Sequence, residues 1–89
     1  MRSLKYTKQF KKDLRRAKRD SRKDVDKLQL VVDLLRENGE LSSEYFPHPL
    51  IGNWLPHWEC HIQPDFLLIY TVNDDMLKLA RCGSHSELF

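Results

Sequence analysis

Trp58-Glu59-Cys60-His61-Ile62-Gln63-Pro64-Asp65-Phe66-Leu67-Leu68-Ile69-Tyr70-Thr71-Val72 is the stretch from which the fold can be read. Its first half alternates. Trp58, Cys60 and Ile62 point one way, and Glu59, His61 and Gln63 the other, as in a strand with one face in the core and one polar face. Pro64-Asp65 supplies turn chemistry. Phe66 to Val72 is a continuous apolar run, expected of a central strand covered on both sides. Asn73-Asp74-Asp75 makes a second tight turn, and Met76 to Cys82 a third strand that Gly83-Ser84 stops. The last residues, His85 to Phe89, fit one helical turn capped by Ser84. Three antiparallel strands in a meander follow from this reading.

Upstream the period changes from two to 3.6. Leu4-Lys5-Tyr6 reads as a short strand, after which Thr7 can cap a helix. Phe10, Leu14 and Ala17 form one apolar stripe, and lysines and arginines fill the rest of that helix. Ser21 with Asp24 resembles a capping box for a second helix, whose apolar stripe is Val25, Leu28, Val31, Val32 and Leu35. Asn38-Gly39 ends it, because both residues tolerate a left-handed backbone. A short link between the helices predicts an antiparallel hairpin. Residues 42–57 hold three prolines and a glycine and read as loop. The expected architecture is α+β: an N-terminal strand, a two-helix hairpin, then a three-stranded meander with the helices on one sheet face. Core candidates are the two helical stripes with Trp58, Ile62, Leu68 and Tyr70.

At 89 residues the chain is expected to be one domain, 1–89, with a single modest core. Its 40% hydrophobic and 31% charged content suits a soluble globular protein. No run reaches the roughly 20 apolar residues of a membrane span. Met1-Arg2-Ser3-Leu4-Lys5 lacks the apolar stretch of a secretory signal. The expected location is therefore the cytoplasm, with Cys60 and Cys82 as reduced thiols.

The net charge of +2 hides an uneven distribution. Residues 1–23 carry 11 of the 15 basic groups and two acids, a net +9, whereas residues 24–89 carry a net −7. Lys8, Lys11, Lys12, Arg15 and Arg16 lie on the first helix. A positive segment this dense is the footprint of a polyanion partner, and an acidic partner helix would satisfy it equally.

The histidines are just as uneven. All four lie after residue 47. His61 leaves the core on the polar face of its strand, and Asp65 sits just past it on the turn. His85, beyond the third strand, can approach both. His48 is bracketed by Pro47 and Pro49, which limit where its ring can point. Two imidazoles and a carboxylate around a groove suit proton transfer on both sides of a phosphate. RNA supplies its own nucleophile, the 2′-hydroxyl, so this chemistry needs a base, an acid and a cation but no metal. Arg81 fits the cation as a phosphate clamp, with Glu59 as an alternative partner for it. A zinc site from His48, Cys60, His61, Cys82 and His85 is disfavoured, because no pair has the usual ligand spacing and Cys60 and His61 face opposite ways. His57 is assigned no role.

Together, His48-Pro49-Leu50-x-Gly52-x-Trp54, His61-x-x-Pro64-Asp65, Leu68 and Tyr70, and Arg81-x-Gly83-x-His85-x-x-Leu88-Phe89 resemble the YafQ branch of the RelE/ParE toxin superfamily. The resemblance spans essentially the whole chain. It implies a type II toxin that cuts mRNA in the ribosomal decoding site without a metal and is neutralised by a cognate antitoxin. It further implies that His48, His61, Asp65, His85 and Phe89 are catalytic positions. His85 and Asp65 would be the proton-transfer pair, His48 and His61 would hold the phosphate and share the proton work, and Phe89 would stack on a base or shape the groove. Arg81 matches a basic position, and the basic helix would hold ribosomal RNA and the antitoxin. The free toxin is expected to be a monomer with no cofactor. ParE-type members share the fold but poison DNA gyrase, so gyrase inhibition is the alternative activity. A catalytically silent antitoxin-binding module is the third.

Overall fold

The computed structural model describes residues 1–89. The chain runs β1 (Ser3–Tyr6), α1 (Lys8–Lys18), α2 (Val25–Asn38), β2 (His48–Pro49), β3 (Trp58–Gln63), β4 (Phe66–Val72), β5 (Met76–Gly83) and α3 (His85–Leu88). The strands form one sheet in the order β1-β5-β4-β3-β2. The β3–β4–β5 meander is antiparallel, and β1 joins the outer edge of β5 in parallel. The two-residue strand β2, within the segment read as loop, pairs His48 with Glu59 and Pro49 with Trp58. Proline is tolerated there because β2 is an edge strand.

β4 is central, and the reason is in its side chains. Phe66, Leu68 and Tyr70 pack under the helices, and Leu67 and Ile69 pack on the opposite face with Ala80 and Leu88. From Phe66 to Tyr70 the strand is buried on both faces, which calls for apolar side chains, and only beyond it do the half-buried Thr71 and Val72 follow. The helices cover the first face with Phe10, Ala17, Leu28, Val31, Val32 and Leu35. Trp58 departs from the expectation: at the start of β3 it is 40% exposed. No helix is long and apolar enough to cross a membrane.

The starts of α1 and α2 are capped, the second differently from the sequence reading. Thr7 accepts from the Phe10 N–H as expected. For α2 the cap is Asp24, which accepts from the Lys27 N–H, and Ser21 lies outside in the turn. Asp24 serves because its carboxylate reaches an orphan donor and its charge favours the helix N-terminus. Gly39 ends α2 at φ 75°.

The stripe of α1 is Phe10, Asp13 and Ala17, with Leu14 only half-buried. A carboxylate, 2% exposed, thus occupies a core position. Its cause lies in β5. Because β1 pairs only as far as Leu79, the last residues of β5 have no strand on that side. Elements of α1 complete the edge. Thr7 donates its hydroxyl to the Ala80 carbonyl at 2.7 Å, and Asp13 accepts from the Cys82 N–H at 3.2 Å. Arg81 then grips the same carboxylate through Nε at 2.8 Å and Nη2 at 3.2 Å. Burial disfavours the charged form of Asp13, but the bonds from Arg81, Gln9 and the Cys82 N–H outweigh it, and its pKa lies below 3.8.

Replacing Asp13 with Ala leaves the Cys82 N–H and the Arg81 guanidinium without their acceptor. The expected cost is about 2–3 kcal/mol, read as a lower urea midpoint with unchanged m-value. Asp13→Asn, which keeps one acceptor oxygen, is expected to cost less.

Candidate active site

Three pieces of backbone geometry assemble the site. Glu59 and His61 are two apart on β3 and therefore share a face. His48 lies directly opposite Glu59 across the β2–β3 pair and so shares it too. The β3–β4 turn and the end of β5 lie together, with Leu67 opposite both His61 and Gly83, which brings His85 and Asp65 to the same rim.

The imidazoles form an arc centred on His61. Its ring centroid is 6.3 Å from that of His48 and 5.9 Å from that of His85. Glu59 lies beneath them, only 5% exposed although on the face read as polar. Its Oε1 is 3.6 Å from His48 Nε2 and 3.5 Å from His61 Nε2. One buried carboxylate thus serves as counter-ion to either imidazolium.

Each outer histidine is oriented by an acceptor on Nδ1. His48 donates it to the Phe46 carbonyl at 2.9 Å, which leaves Nε2 toward Glu59. His85 donates Nδ1–H to Asp65 at 2.6 Å, and its backbone N–H reaches the same oxygen at 2.8 Å. The backbone bond first, then the side-chain bond, holds the Asp65 carboxyl below the usual carboxylate range, so it is ionised at neutral pH. An acceptor fixing one ring nitrogen frees the other for chemistry. Phe89 lies one helical turn beyond His85, its N–H bonded to the His85 carbonyl at 2.9 Å, and its exposed ring packs edge-on against Trp54 at 5.6 Å. His57 bonds the Trp54 carbonyl and stays outside the cluster.

Arg81 is not paired with Glu59. Two of its nitrogens hold Asp13, leaving Nη1. Lys8, Lys11, Lys12, Arg15 and Arg16 are all exposed on α1, as their positions predict. Arg16 differs from the others, bridging Asp13 at 3.3 Å and Glu87 at 3.0 Å. Cys60 and Cys82 lie in the core on the helix side of the sheet, where burial pushes both thiols up to about 12. They are out of reach of the imidazoles, which removes the five-residue zinc set. A different trio, Glu59, His61 and His85, offers ligand atoms all within 4.8 Å of one another and could hold a metal ion.

Sequence reasoning missed Glu59, because alternation assigns it to solvent, and Glu87, whose side chain works at a distance. Glu87 closes the capping box of α3 by accepting from the Ser84 N–H at 2.8 Å, and it binds Lys23 at 2.7 Å. Spacing after Ser84 could have revealed the box. Gln63 also leaves its expected place. A bulge after His61 takes it out of the alternation, and its amide bonds Asp24 N–H and the Arg22 carbonyl in the α1–α2 link. The turn that carries Asp65 and the helix that carries His85 are both anchored on the helical hairpin.

A chain of the DinJ–YafQ complex from Escherichia coli matches the fold with a TM-score of 0.90 at 37% identity, covering 100% of this chain and 99% of that one. A metal-bound toxin from Helicobacter pylori matches with a TM-score of 0.88 at 38% identity, covering 100% of both chains. Small bacterial toxins share this architecture. The mRNA interferase toxin YafQ of Escherichia coli K12 is 37% identical over 89 residues, 99% of this chain and 96% of its own length. Residues 2–89 match the family described as the bacterial toxin of type II toxin–antitoxin systems, YafQ, and the chain belongs to that family.

The Glu87 hub makes the α3 anchor acid-sensitive. Its bond from Lys23, then that from the Ser84 N–H, lowers its pKa from 4.5 to about 2. A depressed folded-state pKa means that the stabilisation is complete above 4.5 and is lost as pH falls toward about 2. Thermal melts between pH 7 and pH 2 are expected to show this loss. Glu87→Gln should melt lower at pH 7 and show a shallower acid slope.

Proposed function

We propose that the chain is the toxin of a type II toxin–antitoxin pair, an endoribonuclease that cuts mRNA in the ribosomal decoding site using the RNA 2′-hydroxyl as nucleophile. The observation that carries this reading is the convergence of His48, His61 and His85 on one face, with the 2.6 Å His85–Asp65 contact orienting the last. The Escherichia coli relative named an mRNA interferase toxin supports it.

The geometry supports the following chemistry. A 2′-hydroxyl attacks the adjacent phosphorus and gives its proton to an imidazole. The bond from phosphorus to the 5′-oxygen breaks, and that oxygen takes a proton from an imidazolium. The products are a 2′,3′-cyclic phosphate and a free 5′-hydroxyl. His85 with Asp65 is the proton-transfer pair in this reading, because ionised Asp65 stabilises the imidazolium and leaves Nε2 for the reacting proton. His48 and His61 hold the phosphate and share the proton work over Glu59, their common counter-ion. Each acid–base step contributes roughly 10²–10⁴-fold. Phe89 stacks on a base at the rim. Arg81 contributes to phosphate binding only through Nη1, since its other nitrogens hold Asp13.

Lys8, Lys11, Lys12 and Arg15 stand exposed on α1. We assign them to ribosomal RNA and to a cognate antitoxin, and action at the ribosome places the protein in the cytoplasm. The DinJ–YafQ complex of Escherichia coli supports an antitoxin partner for this chain as well.

The test is induction of wild type and His85→Ala in a bacterial host, with primer extension on a translated message. Wild type is expected to arrest growth and cut at codon-phased sites. The His85→Ala rate should fall at least about 100-fold while antitoxin binding persists. Growth arrest with intact message in both strains would instead favour gyrase inhibition, and absence of toxicity in wild type an antitoxin-binding module.

A further inference from the structure

Phe46 is an oddity on three counts. It is a large aromatic residue left 66% exposed. Its backbone is left-handed, at φ 49° and ψ 48°, where residues other than glycine, asparagine and aspartate are rare. It also precedes Pro47, a position that favours extended backbone. Backbone held in such a conformation at a rim is a feature of functional sites.

Its surroundings say what the ring is for. β2 pairs with β3 only at Trp58 and Glu59, so from Cys60 onward β3 has no strand on that side. A groove of about 670 Å³ runs along this stretch, and Lys27, Glu44, Phe46, His48 and His61 line it. The Phe46 ring meets His61 edge-on at 5.7 Å, and its carbonyl orients His48. The groove therefore opens directly from the imidazole arc. Lys27 is exposed and held near the Tyr45 ring, with its ammonium 5.9 Å from the ring centroid. Glu44 is the one acid of the groove, and it bonds the Ser42 hydroxyl at 3.0 Å. An aromatic ring, an ammonium and imidazoles line one groove, a set that matches a base, a flanking phosphate and a scissile phosphate.

We propose that Phe46 is the stacking platform for one unpaired nucleobase beside the scissile phosphate, with Lys27 receiving the flanking phosphate. The inference rests on the ribonuclease reading above. Phe89 follows His85 by one helical turn and packs against Trp54, so a second aromatic pair belongs to the His85 segment while Phe46 meets His61. Attack by the 2′-hydroxyl requires it to lie in line with the leaving 5′-oxygen, which a continuous base stack opposes. Two separated platforms hold the neighbouring bases apart, and stacking on aromatic side chains is how unpaired RNA bases are commonly held.

Two measurements test this. The first is single-turnover cleavage on programmed ribosomes by wild type, Phe46→Ala, Phe46→Asn and Phe46→Trp, with messages varied at the bases flanking the cut. Phe46→Ala and Phe46→Asn should lower kcat/KM by roughly five- to a hundredfold, the range of one base stack. They should also flatten base preference at one flanking position, and Phe46→Trp should restore both. Asparagine tolerates the left-handed backbone, so Phe46→Asn is expected to melt no lower than wild type, which separates loss of the ring from loss of the fold. The second is quenching of 2-aminopurine in a short RNA whose 2′-hydroxyls are replaced by hydrogen. Wild type and Phe46→Trp should quench it, and Phe46→Ala should not. Quenching by wild type without cleavage of any message would sink the ribonuclease reading and leave the stacking platform standing. Equal quenching and unchanged base preference in Phe46→Ala would overturn the platform. So would unchanged cleavage with weakened antitoxin binding, which would make Phe46 an antitoxin contact.

Discussion

A single buried carboxylate joins the helical layer to the strand that leads into the site. Asp13 accepts from the Cys82 N–H and from Arg81, both on β5, and from Gln9 and Arg16 on its own helix. Isolated, a charge at 2% exposure would be strongly unfavourable. Here it is tolerated because β1 stops short and leaves the end of β5 with donors that need an acceptor. The same network extends outward. Arg16 passes from Asp13 to Glu87, and Glu87 closes the cap of the short helix that begins with His85. The position of one site histidine is therefore linked through ion pairs to a core residue of α1.

The site combines rigid and irregular parts. β3 supplies Glu59 and His61 on one face, and the β2 pairing adds His48 to it. Asp65 and His85 come from a turn and a four-residue helix, which a meander register brings together. The irregular parts are braced by Gln63 and Lys23, which tie them to the link between the two helices. The imidazoles stand on the sheet face opposite the helices, and the basic surface of α1 stays exposed. The basic surface of α1 and the imidazole arc thus belong to different layers of a small fold.

Much of this was legible in the sequence because it rests on local rules. The apolar run Phe66–Val72 could only be a doubly covered strand, and period 3.6 with Thr7 and Gly39 at the ends delimited the helices. The grouping of His61, Asp65 and His85 followed from meander geometry. Local rules failed where a partner lay far away in sequence. Local periodicity places Leu14 in the stripe of α1, because an aspartate in a core position makes sense only beside the open edge of β5. Alternation puts Glu59 on the polar face, because it gives the direction of a side chain and not what covers it. The cap of α2 fell to Asp24 in place of Ser21, since the Asp24 N–H is held by Gln63 from another element.

The sequence by itself determined the α+β class, the central strand, the basic first helix and the set of imidazoles, because periodicity, turn chemistry and charge are properties of neighbouring residues. Tertiary structure alone decided that Asp13 takes Arg81, that Glu59 lies beneath His48 and His61, that Glu87 anchors His85, and that Phe46 faces the groove. Those contacts form between segments brought together by sheet register and by the early end of β1. A carboxylate is worth burying, or a ring worth exposing, only once its distant neighbours are in place.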